Sequence, residues 1–124
     1  MSGATQIQRF CQAYEKALAG KWKGGPESTT THLRRRKKRG HLSQNATEAE
    51  LTQKGLEILK FPDSIVYEYT PSNTLYFVVH KEWAVFFDES GLWDTVFPPD
   101  LPARYFAAMK GYTLLGKLNE LIIG

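Results

Sequence analysis

The chain has 124 residues, of which 42% are hydrophobic, and its formal net charge is +3. That length supports one real core and not two, and the apolar content is above what a disordered chain carries. The single cysteine, Cys11, excludes an internal disulfide and a cysteine-built structural zinc site, and no apolar run approaches the roughly 20 residues that span a bilayer.

In chain order, Ile7, Phe10, Cys11, Tyr14, Ala17 and Leu18 recur at three- and four-residue spacing. The spacing predicts a helix over residues 5–18 with one buried stripe, stopped by Gly20. Residues 20–30 read as a loop on their Gly, Pro, Ser and Thr content, with Trp22 either a lid on the core or a stacking surface. A basic, helical segment follows, in which Arg34, Arg35, Arg36, Lys37, Lys38 and Arg39 are contiguous and His32 and His41 flank the run. Residues 1–40 hold ten Lys and Arg against Glu15 and Glu27, a formal +8, while the rest hold six basic and eleven acidic groups, a formal −5. A cation block of this kind suits a polyanion, because each phosphate neutralised releases condensed counterions; it also reads as a solvated charged face or a localisation signal.

Thr47-Glu-Ala-Glu50 has capping-box spacing, and Leu51, Gly55, Ile58 and Leu59 form the inner face of a second apolar helix closed by Pro62. After Pro62 the period becomes strand-like. Strands are expected over 64–69, 75–79, 83–87 and 92–97, with a tight Lys81-Glu82 connection between the middle two. Pro98-Pro99 ends the sheet, Asp100 is placed to cap a short helix from Leu101 to about Met109, and residues 112–123 read as a further helix or a docked apolar tail. The expected fold class is α+β: one domain over 1–124, with a helical basic half to 62 packed on one face of a four-stranded antiparallel sheet over 63–98, then a short C-terminal helix or tail.

The third histidine, His80, stands at a strand end before Lys81. No histidine lies in a metal-ligand pattern, and there is no GxSxG elbow or phosphate-binding Gly loop, so neither metal nor cofactor is expected. Cys11 falls in an apolar stripe, where a packed thiol is the ordinary outcome. What remains suits phosphodiester chemistry without metal. Cleaving RNA needs a base at the 2′-hydroxyl, cations at the crowded phosphorane and an acid at the leaving 5′-oxygen, and histidine serves either proton transfer near neutral pH.

The run His32-Leu-Arg-Arg-Arg-Lys-Lys-Arg39-Gly, a capped helix, a four-strand meander and the closing Trp93-Asp-Thr95-Val-Phe97 together resemble the small metal-independent ribonucleases of the barnase–EndoU–colicin–RelE group. The nearest in style are the catalytic domains of colicin-D-like and contact-dependent or polymorphic bacterial toxins. The likeness covers about residues 30–97. It implies His32 as acid or base, Arg36 and Arg39 as phosphate-facing cations, and Thr95 with Phe97 as the strand contribution. His41 is an equal rival to His32, and Arg34, Arg35, Lys37, Lys38, His41, Lys81 and Phe97 are the expected RNA contacts. The resemblance further implies cleavage of RNA, often tRNA, to 2′,3′-cyclic phosphate and 5′-hydroxyl ends. It also implies a cognate immunity or antitoxin protein and a cytoplasmic site of action reached by delivery within a secreted toxin; no membrane partner is expected, since no apolar run is long enough to span a bilayer.

Each of these residues has a plainer reading. His32 can be an exposed residue ahead of a basic helix, His80 a strand-end residue held by local hydrogen bonds, and Thr95 ordinary strand composition. Two other functions use the same features: a non-catalytic nucleic-acid-binding module, or a protein-interaction domain whose acidic C-terminal two-thirds make the contact.

Overall fold

The computed structural model describes residues 2–122, with side chains from residue 6 onward except at position 26. Three long helices come first: α1 (Ser2–Ala17), α2 (Pro26–Lys38) and α3 (Glu48–Lys60). The stripe of α1 buries Phe10, Tyr14 and Ala17 as its spacing predicts, together with Ala13, and the Tyr14 hydroxyl donates to the Leu59 carbonyl at 2.6 Å. Cys11 is half-buried and its thiol donates to the Leu121 carbonyl at 3.3 Å. At the start of α3 the Thr47 side chain accepts from the Glu50 backbone N–H at 3.2 Å, so the capping spacing read from the sequence is a real cap. The expected loop over 20–30 ends early, because α2 already begins at Pro26. A proline at the first helical position loses no needed donor, and Glu27 in the first turn with four cations in the last complements the helix dipole.

The sheet has five antiparallel strands, not four: β1 (Ile65–Tyr69), β2 (Tyr76–Lys81), β3 (Trp83–Asp88), β4 (Trp93–Phe97) and β5 (Tyr112–Lys117), in the order β4-β3-β2-β1-β5. The first four form the expected meander. The fifth corrects the reading of 112–123 as helix or tail: the stretch forms a strand on the free edge of β1, with Gly116 at φ +140° inside it, and then the short helix α5 (Leu118–Ile122). Ile123 lies outside the described residues. The expected helix from Leu101 to Met109 shrinks to α4 (Pro102–Tyr105) and a 3-10 turn at Ala108–Lys110. Asp100 does not cap it; Leu101 holds the cap position and makes no side-chain cap bond. Phe106, at the end of α4, is buried in a second apolar cluster.

Both faces of the sheet are covered. Val66, Phe77, Val79, Val85, Phe87, Trp93 and Val96 meet α1, α3 and the Leu118 and Leu121 side chains of α5. On the opposite face Val78, Ala84, Phe86 and Tyr112 pack with Tyr67, Tyr69, Phe97, Tyr105 and Phe106. Among the described residues, no helix is long and apolar enough to cross a membrane.

Gly55 sets how closely α3 lies on β4. Alanine there gains up to about 1 kcal/mol of helix propensity, but its methyl would stand 2.5 and 2.7 Å from Cζ3 and Cη2 of Trp93. Trp93 is fully buried and its Nε1–H donates to the Ala17 carbonyl at 2.9 Å, so the ring cannot yield cheaply. Overpacking of this kind costs about 1–3 kcal/mol. Gly55→Ala is therefore expected to lower the urea unfolding midpoint, and a raised midpoint would contradict this contact.

Candidate functional site

The segment before α2 is tied to β4 by backbone bonds: Trp93 N–H donates to Lys21 O and Lys23 N–H to Trp93 O, each at 2.9 Å. Trp22 is thereby fixed against the core, its ring centroid 5.5 Å from that of Trp93 and its Nε1–H donating to Thr52 Oγ1 at 3.0 Å. From this anchor α2 runs alongside β4. Four residues advance a helix by about 6 Å and two advance a strand by about 6.6 Å, so residues one helical turn apart match next-but-one residues on the strand. His32 and Arg36 accordingly meet Thr95 and Phe97.

His32 Nδ1 lies 3.4 Å from Thr95 Oγ1, a contact between residues 63 positions apart. The imidazole also hydrogen-bonds the Asp94 backbone, and its centroid is 5.2 Å from the Trp22 ring at 31°. Burial, then the charge of Arg35, lowers the His32 pKa below its ordinary 6.5, against a smaller opposing effect of Asp94. One turn on, Arg36 is only 5% exposed. Its Cζ sits 5.6 Å over the Phe97 ring and its Nη1 is 3.3 Å from His41 Nδ1. A guanidinium only donates, so Nδ1 of His41 accepts and the proton of the neutral ring is on Nε2. Arg36 Nε is buried without a hydrogen-bond partner, and no carboxylate pairs with this guanidinium among the described residues. Burial, Arg39 and Arg35 all push its pKa down, yet an arginine stays charged. A buried cation with no counter-ion costs several kcal/mol, and such groups concentrate at functional sites.

No family model, curated protein or solved structure matches this chain. The chemistry of the site therefore rests on its own geometry.

The other expected residues divide into two groups. Arg39 and His41 line a cleft of about 200 Å³ together with Phe97, Pro98, Pro99, Asp100, Leu101, Arg104, Tyr105 and Lys110. Burial, then Arg36, lowers the His41 pKa, with Asp100 opposing. Arg34, Arg35 and Lys38 are exposed on the outer side of α2, and Lys37 is half-buried. Phe97 is already engaged, by Arg36, by Phe86 at 5.8 Å and by Tyr105 at 5.4 Å, so its ring positions Arg36 rather than offering an open stacking face. Lys81 lies over Phe61 at 5.4 Å, and no contact joins it to the His32–Thr95 pair among the described residues. His80 differs from its plainer reading: its Nε2 is buried without a hydrogen-bond partner, and its ring packs 5.0 Å from Phe106. Sequence reasoning missed Asp94, Arg104, Tyr105 and Lys110. The last three lie on a segment whose only signal was two isolated cations within an acidic half.

All three imidazoles have pKa values lowered from 6.5, chiefly by burial. Each binds its proton less readily folded than unfolded, so protons favour the unfolded chain. Stability is fully retained above about pH 6.5 and is lost as pH falls below that value toward the folded-state pKa values. Urea midpoints measured from pH 7.5 to 5 should fall, with a smaller fall in His80→Phe. An acid-independent midpoint would contradict the burial of these rings.

Proposed function

We propose that the chain is a metal-independent endoribonuclease of toxin type. The observation that carries the reading is the contact of His32 with Thr95 across the chain, set beside a buried cation that has no counter-ion. In this reading His32 takes the 2′-hydroxyl proton, for which a neutral imidazole of lowered pKa is suited, while Thr95 and the Asp94 backbone orient the ring. The 2′-oxygen then bonds to phosphorus and the bond to the 5′-oxygen breaks. Arg36 and Arg39 supply positive potential as charge builds on the phosphorane. The departing 5′-oxygen takes its proton from solvent water. The products are a 2′,3′-cyclic phosphate and a 5′-hydroxyl. The exposed cations Arg34, Arg35 and Lys38 add salt-dependent attraction for the RNA backbone. A tRNA substrate, a cognate immunity or antitoxin protein and delivery within a secreted toxin belong to the same proposal, through the resemblance alone.

The cation-rich face of α2 equally serves a nucleic-acid-binding module without catalysis. Incubating the purified chain with total RNA in EDTA separates the two. Discrete fragments are expected. RNA binding that weakens with salt but leaves the RNA intact would overturn the enzyme in favour of the module.

A further inference from the structure

The cleft beyond Phe97 is built from three separate stretches of chain, two of which the proposed chemistry does not by itself require. Arg39 comes from the end of α2, Arg104 from α4 and Lys110 from the 3-10 turn, with Asp100 on the same wall. Three cations face one carboxylate, a formal +2 with His41 neutral. No carboxylate forms an ion pair with any of the three cations among the described residues. Behind the wall stands Arg36, buried, uncompensated and hydrogen-bonded to the cleft-lining His41. That bond holds the neutral His41 ring with its proton on Nε2, which makes this nitrogen a donor. The volume of about 200 Å³ is below the roughly 300–1,000 Å³ of pockets that enclose a whole small ligand. It suits a phosphate and its sugar, one unit of a strand that continues past the opening. Tyr105 supplies a half-buried aromatic wall for the sugar.

We infer that this cleft is a second phosphate subsite, in which Arg104 and Lys110, across from Arg39, hold the phosphodiester next to the one that docks at the His32–Thr95 seam. The assignment of the neighbouring phosphodiester rests on the nuclease reading; the anion site itself does not. Arg104 and Lys110 are exposed and lie outside both apolar clusters, so neutralising them does not threaten the fold. A 2′-O-methylated RNA oligomer binds without being cut, and its affinity for the full chain can be followed from low to high salt. Losing one phosphate contact on a single strand flattens the slope of log K against log salt by about 0.7. Arg104→Gln/Lys110→Gln should show that flattening and bind several-fold more weakly at low salt. Lys60→Gln/Lys117→Gln removes two equally exposed cations elsewhere, Lys117 being on the edge strand opposite β4, and should leave the slope unchanged.

Flattening in the first pair and not the second supports the subsite even if the chain never cleaves RNA, in which case the nuclease reading alone fails. An unchanged slope, or equal flattening in both pairs, overturns it. Inorganic phosphate that shifts the amide resonances of residues 97–110 while the RNA slope stays unchanged would make the cleft a free-anion site, which also overturns it.

Discussion

Replacing His32 by alanine is expected to reduce RNA cleavage by about 10²–10⁴-fold, the usual worth of a general acid or base, while fold and most RNA affinity persist. A proton-transfer group stabilises the transition state and not the bound ground state, so the loss falls on kcat. His32 is half-buried at the α2–β4 seam, and its removal deletes a 3.4 Å contact with Thr95 but no core residue. Thr95→Val should cost less, because a positioning hydroxyl contributes one hydrogen bond, about 1 kcal/mol. Single-turnover cleavage of one RNA by the purified variants checks the order. Cleavage at the parental rate by His32→Ala with a dead His41→Ala would transfer the principal role to His41. Full activity in both would end the histidine mechanism.

Arg36→Met is the second large effect, and it moves stability and activity in opposite directions. The wild-type chain buries a guanidinium with no carboxylate partner and an unpartnered Nε. Methionine fills similar space without a charge to desolvate, so the urea midpoint should hold or rise, the loss of the cation–π contact with Phe97 being worth only about 1–2 kcal/mol. Cleavage should fall by about 10-fold to 100-fold, because positive potential is withdrawn where negative charge builds up. The guanidinium charge also acts on the neighbouring imidazoles. Arg36 lowers the pKa of both His32 and His41, so both should titrate at higher pH in Arg36→Met, read by NMR. Lower stability with unmoved histidines would assign Arg36 a packing role alone.

The sequence made the scaffold legible wherever one rule acted alone. The period of α1, the cap at Thr47 and the alternation through β1 to β4 each left a local mark. The second edge strand did not, because Leu114-Leu115 breaks the alternation and Gly116 follows it directly, where a strand is weakened. The start of α2 was hidden by Gly24-Gly25-Pro26 and three threonines, residues that serve a turn as well as a first helical turn.

The site was half legible. His32 and Thr95 could be named, but their contact depends on how α2 lies along β4, which no spacing within either element states. Among six contiguous cations the one that is buried did have a signal. Leu33 is the lone apolar residue of the basic run, and the helical neighbours of a buried position recur at three and four residues. Counting from Leu33 reaches Thr29 and Arg36, which are buried, and Thr30 and Lys37, which are half-buried. The cleft left no comparable trace, because Arg104 and Lys110 join Arg39 only after β4 turns at Pro98-Pro99.

The central claim is that His32 activates a 2′-hydroxyl at this seam. The most direct measurement uses one RNA oligomer that the chain cuts in EDTA and the same oligomer carrying 2′-deoxyribose at the cut position. The all-ribose strand should yield a 2′,3′-cyclic phosphate and a 5′-hydroxyl, and the substituted strand should bind equally well and stay intact. Cleavage of the substituted strand at the same position, or a 5′-phosphate on the product, would contradict the mechanism.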